Sequence, residues 1–114
     1  MPSSYVPDRG DIVWISLDPA IGHEQKGRRP VLILTNQLYN GRSGMAVAVP
    51  ITSQIKGYPF EARIITLHDK VTGVALVDHL RAIDWQQRQA EFIIKALPTV
   101  VMEVAQKAKR LLEY

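Results

Sequence analysis

Between Asp11 and Leu97 the apolar residues never settle into a helical period. They come in short β-branched runs, each cut by glycine, proline or a polar cluster. This constrains the chain more than any other feature. Short strands joined by tight turns give a sheet that must bend back on itself to bury a face. Strands are expected at 11–17, 30–35, 45–51, 61–67, 74–77, 80–85 and 90–97. The 30–35 run is almost wholly apolar and should be central, whereas 61–67 only half alternates and should lie near an edge. Residues 37–39 leave room for a short helical turn, and 55–59 for an irregular loop.

After Pro98 the period changes. Leu97, Val101, Val104, Ala108 and Leu111 recur at three and four, with Val100 and Leu112 widening the stripe. Proline suits a first helical turn, and Lys107, Lys109 and Arg110 complement the dipole at the far end. The expected fold is mainly β: a partly open antiparallel barrel with a C-terminal amphipathic helix, one domain over residues 1–114. Trp14 and Trp85 are expected in its core, with Met45 and Met102 filling gaps.

A chain of 114 residues can bury a core unaided. It contains no cysteine, which removes disulfides, thiolate catalysis and cysteine-based metal centres. The N-terminus lacks an apolar leader and no run reaches the length of a membrane span, so a cytoplasmic protein is expected. His23, His68 and His79 form no ligand-spaced set, so no metal and no cofactor is expected. Neither a nucleophile elbow nor a P-loop is present. A net charge of +3 leans toward polyanionic partners.

What remains is a polar stretch at 22–30, Gly-His-Glu-Gln-Lys-Gly-Arg-Arg-Pro, and a second contribution from Pro50-Ile51-Thr52-Ser53-Gln54. Loops on a rigid scaffold commonly carry function. Arginine matches two phosphate oxygens with a planar fork, and hydroxyls add donors. Such a set can hold a phosphodiester and stabilise the charge that develops at a pentavalent phosphorus. With RNA the nucleophile is the substrate's own 2′-hydroxyl, so the protein supplies orientation, a base, an acid and charge stabilisation. Plainer readings stand beside this one. Arg28 and Arg29 can be a solvated loop pair, Glu24 a surface ion-pair partner, Thr52 a strand end bonding its own turn, and His79 a half-buried histidine satisfied by Asp78.

The blocks Tyr5-Val6-Pro7-Asp8-x-Gly10-Asp11, Asp18-Pro19, Gly22-x-Glu24-Gln25-x-Gly27-x-Arg29-Pro30, Pro50-x-Thr52, 56–61 and Gly73-Val74-Ala75-Leu76-x-Asp78 together resemble the MazF/PemK toxin family. The resemblance runs from Tyr5 to the final helix. It implies an SH3-like barrel and a homodimeric mRNA interferase, the toxin of a type II toxin–antitoxin pair. Such an enzyme cuts single-stranded RNA at short sequences without metal, leaving 2′,3′-cyclic phosphate and 5′-hydroxyl ends. A cognate antitoxin with an acidic C-terminal tail would block the RNA groove. The resemblance assigns catalysis to Arg29 and Thr52, with Glu24 as a further residue important for activity. Gln25, Lys26, Arg28 and Ser53 are expected to contact RNA, as are Lys56, Asp78, His79 and Arg81.

Arginine stays protonated in proteins and is a poor base. Arg29 is therefore expected to stabilise charge and deliver a proton, and base duty is open between Glu24 and Arg29. Two positions depart from the resemblance: Arg28 stands where a similar member of the family has a histidine, and His79 where the family commonly has glutamine. The competing classes are a non-catalytic nucleic-acid-binding barrel and a gyrase-poisoning toxin of the CcdB type.

Overall fold

A computed structural model describes residues 5–17 and 27–113. The strands are β1 (Asp11–Ser16), β2 (Arg28–Ile33), β3 (Met45–Thr52), β4 (Glu61–Ile64), β5 (Gly73–Leu76), β6 (Arg81–Asp84) and β7 (Glu91–Lys95). The helices are α1 (Gln37–Ser43) and α2 (Pro98–Leu112). The strands run in the order β4-β5-β3-β2-β1-β7, with β6 also paired to β3. Every pairing is antiparallel.

β3 belongs to two half-sheets. One edge meets β2, from Val31↔Pro50 to Ile33↔Ala48. The other edge meets β6 along Met45 to Ala48, then β5 at Ile51 and Thr52. The chain passes from β5 to β6 through a 3-10 turn, Val77–His79, set against this shared strand. A sheet split in this way curls, and β4 and β7 at its two ends do not pair with each other, so the barrel is partly open.

Curling places apolar side chains on both faces of the central strands. Ile12, Leu32, Val49, Ile51 and Ala75 pack with Val100, Val104 and Ala108 of α2. Val13, Val31, Ile33, Ala48 and Ile83 form a second core with Trp85 on the opposite face. That double burial accounts for the unbroken apolar run at 30–35 and makes β2 central, as expected. β4 is an edge strand, also as expected, but it stops at Ile64. Beyond it, the Thr66 hydroxyl accepts from Val71 N and donates to Val71 O, closing a turn instead.

Four expectations need correction. The α2 stripe is narrow, centred on Val100, Val104 and Ala108, while Leu112 is 80% exposed and Met102 62%. Met102 therefore fills no gap. Trp14 alternates out of the core and is 38% exposed, whereas Trp85 is buried. The helical turn at 37–39 is a helix of two turns. Asn36 caps it by accepting from Tyr39 N, and Gly44 ends it at a φ of 73°.

Candidate active site

β2 starts at Arg28, two residues earlier than the sequence suggested. Leu17 N donates to Gly27 O at 2.6 Å, and Ser16 pairs with Arg28, so the ladder runs on through both arginines. They are strand residues, and successive strand residues face opposite ways. Arg28 reaches across β1 to β7. Its Nη1 lies 3.0 Å from Glu91 Oε1, and its Nη2 donates to Gln89 O at 3.4 Å. Arg29 projects from the other face, the one shared with Val31 and Ile15. Its side chain makes no hydrogen bond or ion pair among the described residues.

The ladder between β2 and β3 pairs Val31 with Pro50. The ladder ends there, and Arg29 and Thr52, each two residues beyond that pair, both line the same groove. Thr52 ends β3, and its Oγ1 accepts from Gln54 N at 3.2 Å. The plain reading of Thr52 as a turn-bonding residue is therefore correct. It leaves the hydroxyl proton free to donate elsewhere.

These two side chains edge a groove of about 860 Å³. Its lining includes the apolar Ile15, Val31, Ala48 and Ile83, all buried. Arg29, Thr52, Ser53, His79 and Arg81 are among its polar lining residues. Arg81 opens β6 opposite Ala48, on the face of Ile83, and has no partner among the described residues. His79 sits in the 3-10 turn with its Nε2 3.9 Å from Asp78 Oδ1. Both of those side chains are more than half exposed, so His79 is not the half-buried histidine of the plainer reading.

The remaining candidates divide. Arg28 lines the groove, but its charge is already met by Glu91. Lys56 and Asp78 are exposed and lie off the groove wall. The backbone N–H groups of Lys56 and Gly57 donate to the buried Glu61 carboxylate at 3.1 and 2.8 Å, which pins the loop that carries Ser53. Glu24, Gln25 and Lys26 lie outside the described residues. Gln54, Thr72 and Trp14 also line the groove and were not singled out as binding residues. Gln54 belongs to the 50–54 stretch marked in the sequence, although no contact was assigned to it there. Thr72 carries no local signal, because it arrives only through the pairing of β5 with β3. Among the described residues, no group of histidines and carboxylates has metal-binding geometry.

A model of PemK-like, MazF-like toxins of type II toxin–antitoxin systems matches residues 8–112. The chain belongs to that family. The endoribonuclease toxin MazF of Escherichia coli strain K12 is 46% identical over 90 residues, 79% of each chain. A crystal structure of MazF from Deinococcus radiodurans matches with a TM-score of 0.84 at 47% identity, covering 97% of this chain and 100% of that one. A MazE–MazF crystal structure from the same organism matches at 0.83 and 43%, covering 96% and 97%. In this MazF-like toxin, then, the half-sheets and α2 are the family's own architecture, and the groove, where Arg29 and Arg81 have no side-chain partner among the described residues, is where its chemistry is to be sought.

Proposed function

We propose that this toxin is a sequence-specific endoribonuclease that cuts single-stranded mRNA without metal, leaving 2′,3′-cyclic phosphate and 5′-hydroxyl ends. The observation that supports the reading is that Arg29 and Thr52 line one groove, with the guanidinium unclaimed by any described residue. The 2′-oxygen attacks phosphorus, the bond to the 5′-oxygen breaks, and one proton leaves the nucleophile while another reaches the leaving group. Arg29 forks onto the non-bridging oxygens, where negative charge grows, and Thr52 donates its hydroxyl to one of them. Glu24 is the one carboxylate of the 22–30 stretch and has the chemistry to take the 2′-proton. In this reading Arg29 also returns a proton to the 5′-oxygen.

Ser53, His79 and Arg81 line the groove and suit contacts to flanking nucleotides. Exposed base edges and stacking give single-stranded RNA its sequence identity. His79 is a specificity residue in this reading. The groove cations, unpaired among the described residues, and the +3 charge also suit a cognate antitoxin whose acidic C-terminal tail competes with RNA for the groove. The existence of a MazE–MazF structure for a relative supports such a partner. The working form is a homodimer in the cytoplasm, where mRNA is found. Among the described residues, no helix is long and apolar enough to cross a membrane.

The test is incubation of the antitoxin-free protein with mixed RNA in EDTA, followed by mapping of the ends. Cyclic-phosphate ends at a short recurring sequence are expected, and Thr52→Ala should bind RNA but not cut it. Binding without cleavage by the folded wild type favours a non-catalytic barrel, and toxicity with RNA left intact favours a protein-directed poison. Either outcome overturns the reading.

A further inference from the structure

Thr52 lies where β3 leaves β2 and joins β5, and a single glycine sets how close that approach is. β5 opens on Gly73, whose φ of +113° is a conformation L side chains rarely adopt. In this conformation the bond that would carry a side chain turns into the plane of the sheet, toward β3. A Cβ built there overlaps the Thr52 carbonyl oxygen. It also comes within 2.9 Å of the Thr52 carbonyl carbon and 3.2 Å of Ser53 Cα. These obstacles are backbone atoms, so no flexible side chain can swing aside.

Retreat is blocked as well. On its other edge Gly73 pairs with Ile64, which is 2% exposed. The next residue, Val74, is held between Thr52 and Arg63. A methyl group at position 73 must therefore displace the Thr52–Ser53 peptide, by about 1 Å to restore van der Waals separation. Both side chains on that peptide line the groove.

We propose that Gly73 is a positioning residue for RNA cleavage: the lack of a side chain there fixes the Thr52–Ser53 peptide and aims the Thr52 hydroxyl at the scissile phosphate. The proposal rests on the reading of Thr52 as a catalytic residue. Gly73 itself touches no substrate. Misplacement of a transition-state donor shows in kcat, whereas a merely structural glycine shows in stability.

The test compares full-length chains carrying glycine, L-alanine or D-alanine at position 73, the last assembled by chemical ligation. Each is assayed on an RNA oligonucleotide containing the mapped cleavage site. Gly73→Ala should melt cooperatively above the assay temperature and keep KM within about twofold, while kcat falls on the order of 10²-fold. D-alanine favours positive φ and puts its methyl in place of the other α-hydrogen, so kcat should stay within about threefold of wild type. Folded Gly73→Ala with wild-type kcat overturns the proposal. So does a D-alanine chain that folds yet loses kcat, and this arm decides alone if the L-alanine chain does not fold. Thr52→Ala in the same assay separates the two ideas. Wild-type kcat there defeats the reading of Thr52, while its loss beside an active Gly73→Ala defeats only the role of Gly73.

Discussion

Arg28 and Arg29 are the same side chain one residue apart, and the strand gives them different work. Arg28 is turned toward Glu91 and Gln89, where its ion pair ties β2 to β7. Arg29 is turned to the groove and left unpaired among the described residues. If Arg29 acts through its fork rather than its charge alone, Arg29→Lys should still lose on the order of 10²-fold in cleavage rate. Single-turnover cleavage of a defined RNA measures this, and near-normal rates in the lysine variant would sink the bidentate assignment. The residue types of the site were legible in the sequence because few chemistries need arginine, threonine and serine without a metal or thiol. Which arginine would be left unpaired was not legible from the residue types, and only the family resemblance singled out Arg29. The pairing depends on strand parity, and Gly27 with its polar neighbours hid the true start of β2.

α1 shows why one element was underestimated. Its length comes from Asn40 more than from apolar periodicity. Fully buried, Asn40 donates to Pro7 O at 2.7 Å and Thr35 O at 2.9 Å, and accepts from Thr35 Oγ1 at 2.6 Å. Its carbonyl oxygen accepts from Trp85 Nε1 at 3.0 Å. These partners are scattered along the chain, so no local window reveals them, and an Asn-Gly pair reads as a turn. Asn40→Ala would strand several buried polar groups and should cost about 2–4 kcal/mol. A thermal melt followed by circular dichroism checks this, with a fall in Tm on the order of 10 °C expected. The strands were easier to read, since alternation and β-branching are local. Their pairing order is not local, and neither is the division of β3 between two half-sheets.

At the scale of the molecule, the N-terminal segment is fastened by a polar cluster. The Tyr5 hydroxyl donates to Asp11 Oδ2 at 2.7 Å, and Lys95 Nζ lies 2.6 Å from Asp11 Oδ1. Burial, then the hydrogen bond to Asp11 and the charges of Asp11 and Asp8, push the Tyr5 pKa well above that of a free phenol. Only the neutral phenol is held in the fold, whereas in the unfolded chain it ionises near pH 10. Its contribution to stability is thus complete below about pH 10 and is lost as pH rises beyond that. Denaturation midpoints measured from pH 8 to 11 should fall less steeply for Tyr5→Phe than for wild type, and parallel curves would refute the assignment. The seam along β3 bears on how such a chain can be made safely. Arg29 is synthesised well before Thr52, and both precede Gly73, the glycine packed against the Thr52–Ser53 peptide. A nascent chain ending short of β5 has both proposed catalytic residues but not the close approach proposed to aim Thr52. On the proposed reading, a poison directed against messages stays harmless to the ribosome still translating its own.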